Sequence, residues 1–345
     1  MKLEYKQYDL KLKHIFKISR SSRDIVPVII VKIVKDGVVG YGEASPNARY
    51  EETMETVKEF LDAIDPAKLS DPFRLEAAGD YVDSIAPGNP SANCAVDIAL
   101  HDWICKRLNV PLYEFFNTDK DQAPVSVFTI GIDTPDNIVR KVKEAVNYPI
   151  LKIKLGVPND EEIVEAVRRV TDKPLRVDAN EGWKSKEEAL EKIKWLSAQN
   201  VELIEQPMPA SQIDDMEWLR ERVSQKSFRG RMPVIADEAL SLYGVSELSA
   251  AYDGINIKLQ KNGGLVKTRR LIHEARNHNM KIMLGCMIET SVGITAAARI
   301  SPLVDWNDVD GNLLISNDPL EGVRNEKGRL YLSDKPGLGV SPNIV

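Results

Sequence analysis

From about residue 123 onward, short apolar runs return roughly every 20 to 30 residues, the cadence of repeated β/α units. They are VSVFTIGI, LKIKLGV, LRVDANEG, ELIEQP, VIADEAL, GINIKLQ, KIMLGCM and DWNDVDG. The stretches between them carry apolar residues at helical spacing. TPDNIVRKVKEAV opens with Thr134 as an N-cap and Pro135 at the first helical position. SKEEALEKIKWL places Ser185 three residues before Glu188, a capping box ahead of the stripe Ala189, Ile193 and Leu196. Eight strands in this rhythm predict a (β/α) barrel with an irregular last unit. A doubly wound open sheet fits less well, because no glycine-rich phosphate turn follows any strand. The first 120 residues read differently. YKQYDLKLK, VPVIIVKIVKDG and VVGYGEA predict antiparallel strands, with Asp36-Gly37 as a hairpin turn. Helices are expected around 51–64 and 91–107. The division is an α+β module over 1–122, a barrel over 123–315, and a tail over 316–345 that returns to the first module.

Composition narrows the function classes. A net charge of −6 supplies no broad basic footprint, which argues against a nucleic-acid partner. The longest apolar run, IVPVIIVKIV, is cut by Lys32 and is too short for a membrane span. The N-terminus has no signal-like apolar region, so the cytoplasm is the expected compartment. Cys94, Cys105 and Cys286 lack the spacing of a disulfide framework or a zinc site. A homo-oligomer is compatible with these numbers, which do not decide the oligomeric state.

Chemistry enters through strand parity. In LKIKL, Leu151, Ile153 and Leu155 face the helices and leave Lys152 and Lys154 facing inward. The same alternation turns Arg176, Asp178 and Asn180 inward, and likewise Asn256 and Lys258. Glu205 ends ELIE and Asp237 ends VIAD, so acids close three successive strands, with lysines to either side. One acid at a strand end is ordinarily a helix cap or a surface charge. Five charged residues on five strands in one parity are not. Three converging carboxylates repel one another unless a cation lies between them, and hard oxygen ligands suit Mg²⁺. A lysine near that cation and another ammonium sheds its proton more easily and becomes a base. Bases on opposite sides of the barrel would take the α-proton of a carboxylate substrate from one face and return it to the other. The expected reaction is a 1,1-proton transfer, either racemisation or epimerisation.

LKIKLG, RVDANEGW, IEQP, ADEAL and INIKLQKNGG, in this order, resemble the barrel motifs of the enolase superfamily, muconate-lactonising subgroup. The resemblance implies a modified TIM barrel, (β/α)7β, with an N-terminal α+β capping domain. It also implies Mg²⁺ held by Asp178, Glu205 and Asp237, with Lys154 and Lys258 as the acid/base pair acting through an enediolate. Lys152 would contact the substrate carboxylate. Lys261 competes with Lys258 but shares neither its strand parity nor its position in the family.

The substrate is addressed by DVDG after the last strand. Asp308 and Asp310 present paired carboxylates suited to an ammonium group, though DxD alone also fits an Asx turn. In this position the motif resembles that of the dipeptide epimerases, which implies a dipeptide inverted at its C-terminal residue. Thr129, Cys286 and Ile288 match family positions that contact the dipeptide. The alternatives are an N-acylamino-acid racemase or o-succinylbenzoate synthase, neither needing an ammonium receptor, and a non-catalytic barrel that binds a metal or a peptide. A loop of the capping domain selects the side chain in this family, with an arginine in members acting on L-Ala-D/L-Glu. Here that loop is FKISRSSRDIVP, about two residues shorter than the usual form. Arg20 is the expected contact and Arg23 its rival, and glutamate, hydrophobic and aromatic side chains all remain candidates.

Overall fold

The structure, a computed structural model, describes residues 1–224 and 232–343. The chain begins with three antiparallel strands, β1 (Lys2–Ile18), β2 (Ser21–Lys35) and β3 (Val38–Ala44), paired in that order. Asp36 and Gly37 both take positive φ, 50° and 75°, as a two-residue hairpin turn requires. The segment FKISRSSRDIVP, read from sequence as a loop, is instead the tip of the β1–β2 hairpin. After a register shift beyond Lys11, Phe16 pairs with Arg23, Lys17 with Ser22 and Ile18 with Ser21. Docking holds this tip in strand form, since the Ile132 amide donates to the Lys17 carbonyl at 2.8 Å.

Behind the sheet lie α1 (Met54–Asp62), α2 (Leu75–Asp83) and α3 (Pro90–Leu108), followed by the short α4 (Leu112–Phe115). Helix α3 lies directly on β3. A Cβ on Gly42 would stand 1.8 Å from the Ala95 carbonyl oxygen, and one on Gly40 would stand 2.1 Å from that of Ala99. Only glycine permits this approach. Ile29, Val31, Ile33 and Trp103 are buried in the resulting core.

The barrel then alternates strand and helix through β4 (Phe128–Ile130), α5 (Pro135–Glu144), β5 (Leu151–Lys154), α6 (Asp160–Arg168), β6 (Leu175–Asp178) and α7 (Lys186–Leu196). It continues with β7 (Val201–Glu205), α8 (Ile213–Val223), β8 (Val234–Ala236), α9 (Val245–Ala251) and β9 (Gly254–Lys258). The last units are α10 (Leu259–Asn262), α11 (Leu265–Asn277), β10 (Lys281–Gly285), α12 (Ser291–Ile300) and β11 (Trp306–Asp308). Strands β4 to β11 form one parallel sheet in chain order, and a Ser126–Asn307 bridge joins its two ends. This is the expected (β/α)7β barrel. Ser185 accepts the Glu188 amide as a capping box requires, but the Glu188 carboxylate reaches back to the Lys184 amide at 2.8 Å. Thr134 occupies the N-cap position of α5 without a side-chain bond.

Four short strands, β12 (Leu320–Glu321), β13 (Arg324–Glu326), β14 (Arg329–Tyr331) and β15 (Ser341–Pro342), complete the described chain. The tail touches both modules. The Ser316 amide donates to the Lys11 carbonyl and the Leu338 amide to Asp102, while the Ser126 amide reaches the Gly328 carbonyl. Among the described residues no helix is long and apolar enough to cross a membrane.

Candidate active site

Register brings the chemistry to one level. Lys154 of β5 pairs with Asp178 of β6, which pairs with Glu205 of β7. On the other side, Lys258 of β9 and Asp308 of β11 both pair with Gly285 of β10. Because side chains alternate, residues in register share a face, so all five point into the barrel at the C-terminal ends of their strands. Strands β5 and β9 are four apart in the eight-stranded order, which sets Lys154 and Lys258 across the lumen from each other. Asp237 follows β8 directly.

These groups form one buried network. The Lys152 ammonium donates to Glu205 at 2.6 Å and to Asp308 at 2.5 Å, and lies 3.3 Å from Asp178. Lys154 donates to Asp178 at 2.6 Å. Lys258 and Lys261 hold opposite oxygens of Asp237 at 3.0 and 2.8 Å. Lys258 lines the cavity above the barrel and Lys261 does not, in keeping with the parity argument. Asn256 donates to Glu205 at 2.7 Å.

The electrostatics follow from burial and pairing. Burial alone would raise Asp178, but Lys154 and Lys152 outweigh it and hold the carboxyl well below its ordinary range. Lys258 and Lys261 do the same for Asp237. Burial and the Asp178 charge push Glu205 up to about 7, against the pull of Lys152. Lys258 and Lys152 are both raised by the acids that hold them. Burial disfavours the ammonium of Lys258, yet Asp237 and Glu205 prevail and raise it, and Asp308, Glu205 and Asp178 do so for Lys152.

Among the described residues no three acidic, histidine or cysteine side chains stand close enough to ligate one ion. Each acid is drawn to a lysine instead. The donor set nevertheless fits a hard divalent cation. Asp178, Glu205 and Asp237 are carboxylates on neighbouring strands, at most 1% exposed, and each feels the charge of another. The Lys152 ammonium, touching two of the three, shows that this cluster accepts positive charge.

Above the cluster lies a cavity of about 410 Å³, bounded by the capping domain on one side and the strand ends on the other. Thr129, Cys286, Ile288, Asp308 and Asp310 all line it. Asp310 accepts the Thr129 amide at 2.6 Å and its hydroxyl at 3.2 Å. Burial and the Asp308 charge lift its pKa to about 7. Burial and the charges of Asp310 and Asp308 raise the Cys286 thiol well above its ordinary value. Apolar walls come from Leu12, Phe16, Ile18 and Val26 of the hairpin and from Met287 and Leu314 of the barrel.

Arg20 and Arg23 both line the cavity, and their side chains are engaged differently. Arg20, at the hairpin tip, donates to Glu238 at 2.5 Å and to the Asn180 carbonyl at 2.9 Å, and the Ser19 hydroxyl joins that carbonyl at 2.8 Å. Its charge is therefore used to pin the hairpin to the barrel. Arg49 likewise clasps Glu181 through two hydrogen bonds, of 3.2 and 3.0 Å. Arg23 also lines the cavity, and among the described residues its side chain forms no ion pair or hydrogen bond.

Known proteins share the fold of both modules. Residues 137–344 match the enolase C-terminal domain-like family, and residues 5–116 match the mandelate racemase / muconate lactonizing enzyme N-terminal domain. The chain belongs to the enolase superfamily. It is 46% identical over 342 residues to an L-Ala-D/L-Glu epimerase of Bacteroides thetaiotaomicron, covering 99% of this chain and 88% of that one. An L-Ala-D/L-amino acid epimerase of Pedosphaera parvula is 40% identical, with 97% of each chain covered. Among solved structures, a dipeptide epimerase from Cytophaga hutchinsonii complexed with Mg and D-Ala-L-Val superposes with a TM-score of 0.89 at 27% identity. That match covers 99% of this chain and 95% of the other.

Within this superfamily barrel, the cavity residues that escaped the sequence reading include Arg49, Tyr50, Asn180 as a hairpin anchor, and Glu238. Glu238 follows Asp237 in ADEAL, where strand parity turns it away from the lumen. The chain has already left the strand there, and a 3₁₀ turn over Glu238–Ser241 swings Glu238 back toward the hairpin. Tyr50 lies beneath the Lys261 ammonium, 5.0 Å from ring centre to nitrogen. Asn47 of the NARY segment caps the turn that carries it, which is the one local signal a sequence reading offers.

Proposed function

We propose that this chain is an Mg²⁺-dependent dipeptide epimerase that inverts the C-terminal residue of L-Ala-Glu-type substrates. The observation that carries this reading is the single layer in which Lys154 and Lys258 face each other across three carboxylates, with Asp308 and Asp310 beside it. Asp178, Glu205 and Asp237 would hold the cation. When bound, the cation would supply positive charge to the substrate carboxylate and would lower the proton affinity of the lysines beside it.

Asp308 and Asp310 receive the α-ammonium of the N-terminal residue, and Lys152 stands between that receptor and the substrate carboxylate. A neutral lysine amine on one side accepts the α-proton as the C–H bond breaks, and the electron pair spreads onto the substrate carboxylate oxygens. The ammonium of the opposite lysine then delivers a proton to the other face, so one proton leaves and one arrives. An N-acylated substrate carries no ammonium for Asp310, a buried carboxyl with no lysine or arginine paired to it among the described residues, and this favours the free dipeptide over the racemase and synthase alternatives.

Glutamate as the inverted residue is favoured by Arg23, a cavity arginine with no counter-ion among the described residues, and by the activity in the name of the Bacteroides relative. The test is α-proton exchange in D₂O with Mg²⁺ across a dipeptide library, read by NMR and mass spectrometry. Exchange of L-Ala-L-Glu into both epimers is expected. Its absence with every dipeptide refutes the epimerase.

A further inference from the structure

Two carboxylates that the proposed mechanism does not use lie buried where the capping domain meets the barrel. Glu43, near the end of β3, is fully buried, and Glu289, in the loop before α12, is 2% exposed. A Cβ placed on Gly293 would stand 2.0 Å from one oxygen of Glu289 and 3.1 Å from one of Glu43, so the two acids crowd the same small space. Among the described residues no lysine or arginine pairs with either.

Their hydrogen bonds knit four segments together. Glu43 accepts the Thr290 amide at 2.7 Å, the Thr290 hydroxyl at 2.6 Å and the Gly293 amide at 2.8 Å, at the start of α12. Glu289 accepts the Met287 amide at 2.8 Å. Gln260, two residues beyond Lys258, donates to Glu289 at 2.9 Å and to the Glu43 carbonyl at 3.1 Å, and accepts the Ser45 amide at 3.0 Å. The Ser45 hydroxyl in turn holds the Ile288 carbonyl at 3.0 Å. The pair therefore sits between the end of β3, the loop after β9, and the cavity wall at Met287 and Ile288.

Two anions without a cation cannot both be buried here at modest cost. Burial and the Glu289 charge lift Glu43 to about 8, and burial lifts Glu289 to about 7. Other titratable groups facing the pair are Lys258 from β9, the Cys286 thiol from β10 and the Cys94 thiol from α3, which Asp97 and Glu52 also flank. Only Lys258 is cationic, and its ammonium is already bonded to Asp237.

We propose that Glu43 and Glu289 together carry one proton in the working enzyme, and that this protonated pair positions the Met287–Ile288 wall of the substrate cavity against the capping domain. The pair titrates as a unit, so the proton belongs to both acids. Its loss at alkaline pH places two anions on facing segments and weakens the closed cavity. The sign follows from linkage. A carboxyl whose folded pKa is raised contributes stability that is complete below its unfolded value near 4.5 and is lost as pH rises through about 7 to 8.

The role in substrate binding rests on the epimerase reading, whereas the shared proton does not, and the experiment separates the two. Infrared spectra of the Mg²⁺-loaded enzyme, recorded against pH as wild type minus E289Q, should show a protonated carboxyl C=O band near pH 6.5 that is gone by pH 9.5. The KM for L-Ala-L-Glu in wild type relative to E289Q should be near unity at pH 7 and about tenfold higher at pH 9, since about a tenth of molecules then keep the proton. The ratio cancels ionisation of the substrate's own ammonium. E43Q serves as the second variant should E289Q fold poorly. Absence of the infrared difference band overturns the shared proton even if no dipeptide is turned over. A band accompanied by an unchanged KM ratio overturns the positioning role.

Discussion

Replacing each hairpin arginine separately distinguishes a latch from a substrate receptor. Arg20 pairs with Glu238, whose side chain is only 1% exposed, so R20A strands a buried carboxylate. Breaking a buried pair costs about 3–5 kcal/mol, and because the Arg20 side chain is 31% exposed, solvent screening brings the loss toward about 2–3 kcal/mol. For a chain of 345 residues this lowers Tm by about 3–4 °C. It also loosens the hairpin tip for every substrate alike. The Arg23 side chain has no partner to strand among the described residues, so R23A should leave Tm within about 1 °C. Its loss removes one charge-assisted hydrogen bond to the glutamate side chain, worth about 1.5–3 kcal/mol, or roughly 10- to 100-fold in kcat/KM. L-Ala-L-Gln and L-Ala-L-Leu, which lack that charge, should be affected about twofold at most. The assay is epimerisation of the three dipeptides by wild type, R20A and R23A, with Tm measured in parallel. Selective loss of L-Ala-L-Glu turnover in R20A, with R23A unchanged, would refute the assignment and return the receptor role to the hairpin tip.

Other outcomes follow from the same geometry. D310N keeps an acceptor for the Thr129 amide but removes the charge expected to meet the α-ammonium, so kcat/KM for dipeptides should fall about 10²- to 10³-fold while any N-acylamino-acid racemisation persists. Equal loss of both activities would remove the ammonium-receptor role. K154A and K258A should each abolish α-proton exchange from one epimer while retaining slow exchange from the other, with turnover down about 10²- to 10⁴-fold. Exchange of both epimers by either variant contradicts the two-base arrangement. Removing divalent cations with EDTA should stop turnover and lower Tm, and Mg²⁺ at 100 times its Kd should restore about 2.7 kcal/mol of stability. An unchanged Tm across that titration would count against Asp178, Glu205 and Asp237 as the binding set.

Strand chemistry was legible in the sequence because it depends on period and little else. Once LKIKL is a strand, Lys152 and Lys154 must share a face, and the parallel register then sets Lys154 level with Asp178 and Glu205. What escaped depends on partners far apart in the chain. Nothing around Arg20 announces Glu238, 218 residues on, so this ion pair was not visible in the sequence. Glu43 in GYGEA and Glu289 in MIETS are each ordinary in isolation, and only the docking of the capping domain makes them neighbours. The hairpin tip was missed for a different reason. Its strands mix lysine, serine and arginine with few apolar residues, and its pairing is supported by the barrel beneath it. Helix α2 escaped because LEAAGDYVD is short, includes Gly79 and has no side-chain cap.

Lys152 shows most clearly why parity alone understates a site. Period assigns it the same face as Lys154, and family likeness assigns it the substrate carboxylate. The structure adds that its ammonium is bonded at once to Glu205, a proposed cation ligand, and to Asp308, a proposed ammonium receptor. One buried cation thus joins the two ends of the binding site. A dipeptide presents a carboxylate and an ammonium a fixed distance apart, and a receptor for both must hold opposite charges close together without letting them collapse onto each other. Bridging Glu205 and Asp308 through Lys152 keeps the acids of β7 and β11 in place across the floor, where direct pairing of either with a mobile side chain would not. The two lysines of β5 share a face for different reasons: Lys154 lies beside the proposed proton-transfer path, and Lys152 would set the spacing of the charges proposed to hold the substrate across it.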